Sequence, residues 1–161
     1  MSRRTILILA VVLSLLFLAG TATAISIKHV DAIVSDNGDT LFTADYTLQW
    51  AERAIAYPAA VPLIQGYPKK DVQILSVTPE RAQVVVQHLV TVQQLPDARK
   101  YITPGFSLAN AKSELNKYWF GSMITLDGAA GSLSIHFPDG AIIEHKDLTT
   151  VPSFEHVSGG L

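Results

Sequence analysis

The 161-residue chain has no cysteine. That single absence excludes disulfides, thiolate metal sites, a thiol nucleophile and the lipid-bearing cysteine of a lipoprotein. Also missing is any basic patch. Lys69-Lys70 and Arg99-Lys100 are isolated pairs beside Pro68 and Asp97, the pattern of solvated loops rather than of a nucleic-acid surface. The signatures G-x-S-x-G, H-E-x-x-H and S-x-x-K do not occur, so no familiar hydrolase machinery is written in the chain. There is no internal repeat and no low-complexity stretch. The C-terminus, "FEHVSGGL", carries no hydrophobic tail.

Charge is absent from one long stretch, since nothing between Thr5 and Ile27 is ionisable. Arg3 and Arg4 precede it, and from Ile6 to Gly20 every residue except Ser14 is apolar or glycine. These are the positive leader and apolar run of an export signal. Ala22, Thr23 and Ala24 then supply the small-x-small pattern of a cleavage site, which would leave Ile25 as the first mature residue. The competing reading is an uncleaved anchor, because about 20 predominantly apolar residues suffice to span a bilayer. A type IV pilin would need a cleavage site before the apolar run and a glutamate near its start, and has neither here. Both surviving readings put residues 25–161 outside the cytoplasm.

The sequence therefore divides into 1–24, a signal peptide or signal anchor; 25–157, one extracytoplasmic domain; and 158–161, a polar tail. About 137 residues remain after cleavage, enough for one proper core. This part keeps 10 of the 12 Lys and Arg and all 14 Asp and Glu, a formal charge of −4.

Hydrophobic periodicity fills in the domain. In "LFTADYTLQW", Phe42, Ala44, Tyr46, Leu48 and Trp50 alternate with polar residues as in a half-covered strand. It is joined to "ISIKHVDAIVS" through Asn37-Gly38, a two-residue hairpin signal. Residues 51–68 read as at most two helical turns followed by irregular chain, since Pro58 and Pro62 interrupt them. "DVQILSVT" and "AQVVVQHLVTVQQ" form a second hairpin around "PER", with His88 among valines as a partly buried, hydrogen-bonded side chain. Pro104-Gly105 suits a type II turn.

Ser107 reads as the N-cap of one main helix ending at Gly121, with Leu108, Ala111, Leu115, Tyr118 and Trp119 on the stripe that should lie on the sheet. "SLSIHF" and "AIIEHK" form a third hairpin, and "SFEHV" a short last strand. The expected fold is α+β: a mostly antiparallel sheet built of hairpins, with one main helix packed on it, behind an N-terminal signal or anchor helix.

Candidate chemistry is sparse. With Asp139-Gly140 as a two-residue loop, His136 faces Ile143, which puts His136 and His145 on one face as diagonal neighbours. His156 on an adjacent strand would complete a metal-ligand set. Solvent-facing strand histidines explain the same residues without a metal, and no metal or other cofactor is assigned. Asp36, Asn37, Gly38 and Asp39 form an acidic cluster, but the twelfth position from Asp36 is Thr47 rather than the glutamate of a calcium loop. Asp45 and Glu144 are acidic residues set within strands, and Glu144 falls on the face of Phe137 and Ile142. "YWF" at 118–120 is the richest aromatic stretch. Tyr118 and Trp119 continue the helix stripe, which leaves Phe120 as the candidate interaction surface.

With "DNGD…ADYTLQW", "KSELNKYWF" and "SIHFPDG" in order behind an export signal, the chain resembles small exported archaeal proteins of uncharacterised function over most of residues 25–157. The resemblance implies an exported single domain with an early hairpin and a late helix and hairpin, and no catalytic residues. The leading expectation is a non-catalytic binding or structural module associated with the cell envelope. Its partners would be envelope or membrane proteins and not nucleic acid, with membrane contact only through residues 5–27 if these stay uncleaved. The alternatives are a small secreted hydrolase, for which His136, His145 and Asp139 are the first residues to test, and an accessory subunit of a membrane complex.

Overall fold

A computed structural model describes residues 23–48, 71–115 and 124–159. Its strands are β1 (Thr23–Val34), β2 (Thr40–Thr47), β3 (Val72–Val77), β4 (Arg81–Val86), β5 (Thr91–Leu95), β6 (Ala98–Thr103), β7 (Phe106–Ser107), β8 (Ile124–Asp127), β9 (Ser132–His136), β10 (Ile142–Lys146), β11 (Thr150–Val151) and β12 (Phe154–Gly159). One helix, α1 (Leu108–Leu115), follows β7.

β1 organises the larger sheet, whose order is β10-β9-β1-β2-β4-β3. It pairs antiparallel with β2 on one side. On its other side it pairs parallel with β8 and then with β9, which follow one another along it. The second sheet, β12-β6-β5, is antiparallel throughout, and β7 with β11 makes a short ribbon. The inner face of the large sheet is apolar by alternation: Ala32 and Val34, Ala44 and Tyr46, Ala82, Val84 and Val86, Leu133 and Ile135 are all buried. The smaller sheet packs across that face. Buried Tyr101 of β6 meets Phe137 with ring centres 5.8 Å apart.

The structure is thus a β-sandwich, which overturns the α+β expectation. Strands account for 63% of the described residues, and α1 is a two-turn element whose contacts are with β7 and β8 at the margin. The place reserved for a helix across the sheet is filled by strands, with Tyr101, Phe106 and Phe154 against the inner face. Leu108, the first residue of the expected stripe, is buried as foreseen. Tyr118, Trp119, Phe120 and Gly121 lie outside the described residues, as do the turns expected over 51–68. The expected N-terminal helix also lies outside them, except at its end, where Thr23 and Ala24 are already strand. Among the described residues no helix is long and apolar enough to cross a membrane. At the other end β12 runs to Gly159, so the first two residues of the expected tail are paired with Arg99 and Ala98.

Two hairpin turns are one residue longer than expected. In the first, Ser35 N–H donates to Asp39 O at 2.9 Å and Gly38 N–H to Ser35 O at 3.0 Å, enclosing Asp36, Asn37 and Gly38. In the third, Phe137 N–H donates to Ala141 O at 2.9 Å around Pro138, Asp139 and Gly140. Only the glycines take positive φ, 84° at Gly38 and 85° at Gly140. Both are three-residue loops closed by a left-handed glycine, not two-residue turns.

The expected long strand over 82–93 is broken as well. His88 adopts φ 51°, its N–H donates to Asp39 Oδ1 at 2.8 Å, and Val90 N–H donates to Gly38 O at 3.0 Å. The first turn thereby captures the chain between β4 and β5 and passes it from one sheet to the other. His88 is exposed, contrary to the buried role expected of it. Gly105 does not have the positive φ of a type II turn. Its lack of a Cβ serves close approach instead, since one would lie 2.9 Å from Val151 O and 2.8 Å from Ser153 N.

Gly38 and Gly140 share a backbone conformation but differ in surroundings. A Cβ on Gly38 would lie 2.1 Å from Val90 O, whereas nothing lies within 4 Å of one on Gly140. Gly140→Ala should cost about 1–2 kcal/mol, the left-handed penalty alone. Gly38→Ala should cost about 3 kcal/mol or more, because overpacking adds to it. Urea unfolding of the two variants measures the difference.

Candidate functional site

The face of the large sheet turned away from the smaller one carries the polar cluster. Regular alternation back from buried Ala32 puts Val30 inward and His29 outward, and would then turn Ile27 outward too. Ile27 is nevertheless buried, because the β1–β2 register slips between Ile27 and His29, making Lys28 an extra, bulged residue. A bulge re-aims side chains at the cost of ladder regularity. Here it lets Ile27 fill the core while His29 and Asp31 both face out. The opposite neighbour is interrupted at the same level, where residues 128–131 separate β8 from β9. Gly131 permits this close passage, since a Cβ there would lie 2.7 Å from Ile27 O. Ser132 follows at once and is the register partner of His29.

These four features bring Ser132, His29, Asp31 and His136 into one hydrogen-bonded chain. Ser132 Oγ lies 2.7 Å from His29 Nδ1. His29 Nε2 lies 3.1 Å from Asp31 Oδ1, and His136 Nε2 lies 3.2 Å from the same oxygen. An ionised carboxylate only accepts, so both imidazoles must donate from Nε2. Neutral His29 is then left with a lone pair on Nδ1, and Ser132 Oγ–H donates to it. Beside this chain, Arg81 donates to Asp45 through Nε at 2.7 Å and Nη2 at 3.2 Å. That two-pronged contact, with burial opposing it, holds the Asp45 carboxyl below its usual range. The Lys28 charge, and that of His29 in its protonated form, add a smaller pull in the same direction.

The residues singled out from sequence are separated. Because the third turn is one residue longer than expected, His136 pairs with Ile142 rather than Ile143. His136 therefore faces outward with Glu144, while His145 points inward, opposite Leu133. Its Nε2 meets Thr150 O at 3.1 Å, and its ring lies 5.9 Å from that of Phe154. Glu144 consequently leaves the face of Phe137 and is exposed. His156 belongs to the other sheet. Its ring lies tilted against that of Phe137, with centres 4.4 Å apart, and it bonds Asp139 Oδ2 at 2.7 Å. The three histidines form no common site, and among the described residues no group of three or more His, Cys, Asp or Glu is disposed to hold a metal ion.

The acidic turn is likewise occupied by its own bonds. Asn37 Nδ2 donates to Asp39 Oδ2 at 2.8 Å, and Arg99 Nη1 donates to Asp36 Oδ1 at 2.6 Å. Phe120 and Ala22 lie outside the described residues. Ala24 and Ile25 pair with Thr125 and Leu126 of β8, so the expected cleavage point falls inside β1.

His29, Asp31 and Ser132 carried no motif in the sequence. His29 and Asp31 share the i, i+2 spacing of one strand face, a local signal. The link to Ser132 depends on a parallel pairing across 103 residues, which periodicity does not report.

Two concavities lie elsewhere. A cavity of about 50 Å³ between the sheets is lined by apolar side chains, among them Val34, Phe42, Ile135 and Phe154. An open groove of about 810 Å³ is lined by Asp36, Asp97 and Asp139 of loops and by Arg99 of β6. Two of its carboxylates, Asp36 and Asp139, are already bonded to Arg99 and His156. Comparison with known proteins finds no matching family model, no matching curated protein and no matching solved structure.

The hydrogen bond from His156, opposed by burial and aided by the Ala141 amide, holds Asp139 below its ordinary carboxyl range. Its contribution to stability is therefore full above about pH 4 and is lost as pH falls through the lowered value. Protection of the Ala141 amide, whose N–H donates to Asp139 Oδ1 at 3.1 Å, should fall below about pH 4 when exchange is measured against the intrinsic rate at each pH. In Asp139→Asn this acid step should disappear.

Proposed function

We propose that the chain is an exported, envelope-associated β-sandwich module whose working surface is the outer face of the large sheet. The observation that carries this reading is the Ser132–His29–Asp31–His136 chain itself. It is built on β1 and β9, two interior strands of the sheet, yet it is half-exposed and open to a partner. Interior strands are paired on both sides and hold their side chains more firmly than loops do. Ile33 and Ile142 flank His136 in register, and both are large exposed apolar side chains. A polar chain bordered by exposed isoleucines suits recognition by another surface component.

Export is supported by the arginine-led apolar segment and by Ala22-x-Ala24. Cleavage after Ala24 would delete the first two of the four β1–β8 pairs and retain those of Ile25 and Ser26. The likeness to small exported archaeal proteins belongs to the same reading.

The test is photo-crosslinking in native cells from positions on the two faces, combined with N-terminal sequencing of the recovered protein. Crosslinkers at Thr43 or Gln83, on the outer face, should capture a defined envelope component. Crosslinkers at Gln93 or Ser158, on the smaller sheet, should not. Ile25 as first residue is expected for the cleaved form and Met1 or Ser2 for the anchored one. Capture restricted to the smaller sheet, or recovery in the cytoplasmic fraction alone, would contradict the proposal.

A further inference from the structure

We propose that Ser132 is a nucleophile, with His29 as its general base and Asp31 as the group that orients His29, and that the site reacts with activated acyl esters. The inference rests on the outer face being the working surface, and it adds a reaction to that surface.

Three observations carry it. The contact between Ser132 Oγ and His29 Nδ1, at 2.7 Å, is within reach for proton transfer. The far ring nitrogen is tied to Asp31 at 3.1 Å, which selects the tautomer that leaves Nδ1 free to accept. This is nucleophile, base and orienting carboxylate in sequence, a set of roles that recurs on unrelated folds and is recognised by geometry. Lastly, the alignment combines the Lys28 bulge, which lets Ile27 fill the core directly before the outward His29, with the Gly131 passage, which brings Ser132 opposite His29. His136, donating to the same Asp31 oxygen at 3.2 Å, fixes the carboxylate from the other side and is a positioning residue.

The reaction balances with water alone as co-reactant. Ser132 Oγ bonds to the acyl carbon while its proton moves to His29 Nδ1, the acyl–oxygen bond breaks with its electron pair leaving on the departing oxygen, and His29 releases its Nδ1 proton to solvent, which restores it as a base. Water then attacks the acyl-serine and gives a proton to His29, which returns it to Ser132 Oγ as the carboxylic acid departs. The open face favours leaving groups that depart as stable anions. Aryl esters and fluorophosphonates meet that condition, and peptides do not.

The test uses the purified full-length chain with a fluorophosphonate probe and with p-nitrophenyl acetate. The expected result is one covalent adduct, located on Ser132 by peptide mass spectrometry. Ser132→Ala should abolish the adduct. His29→Gln should slow it about 100-fold or more, the lower end of what a general base supplies. Asp31→Asn should slow it while changing the pH profile. Matching circular dichroism of the variants separates these losses from unfolding, and Ser134→Ala should label normally.

No adduct at Ser132, or an adduct formed equally fast in His29→Gln, overturns the proposal. Outer-face crosslinking without labelling leaves the working-surface reading standing and removes the nucleophile alone. Labelling without outer-face crosslinking removes the docking role.

Discussion

One extra residue in β1 sets the arrangement of both faces of the large sheet. β1 is hydrogen-bonded to β2 on one side and to β8 and β9 on the other, so a change in its alternation is felt by three neighbours. The bulge at Lys28 lets the strand satisfy two demands that a regular strand cannot meet together. Ile27 and Ala32 both reach the core, and His29 and Asp31 both stay outside it. Without the slip, either Ile27 would be exposed or His29 would enter an apolar interior without Ser132 and Asp31 as partners. A buried polar group left unpaired costs about 1–3 kcal/mol.

The sandwich closes through a second set of contacts that depends on the first hairpin. Its turn accepts His88 N–H at Asp39 and Val90 N–H at Gly38, and these bonds fix where the chain leaves the large sheet. β5 and β6 then lie over the inner face, where Tyr101 packs on Phe137 and His156. His156 reaches Asp139 in the third turn. Two loops and two sheets are therefore held by a few directed bonds around an apolar core, in a chain without cysteine.

What could be read from sequence was local. The hairpins around residues 35–39, 78–81 and 137–141 follow from alternation bounded by turn residues, and each is present. Their exact loop lengths were not legible, because Asn-Gly and Asp-Gly serve two-residue turns and three-residue loops alike. That single residue decides faces: it separates His136 from His145 and dissolves the expected metal pair. The α+β reading failed for a different reason. An apolar stripe does begin at Leu108, but strands β5, β6 and β12 cover the sheet, and around β6 the sequence offered only the turn signal of Pro104-Gly105. Of the outer-face chain, the sequence exposed only His136 as a candidate. His29 and Asp31 share one strand face at i, i+2, but nothing local marks them as a site, because the link to Ser132 is a parallel pairing across 103 residues that leaves no periodic trace.

The account stands most directly on the protonation and bonding of His29. Two-dimensional ¹⁵N–¹H spectra of the imidazole, recorded near neutral pH on the full chain and on Ser132→Ala, read both at once. The account predicts a single Nε2–H tautomer, with an Nδ1 resonance that shifts when the Ser132 hydroxyl is removed and a second, distinct response in a chain lacking Lys28. An imidazole exchanging freely between tautomers and indifferent to Ser132 would contradict it.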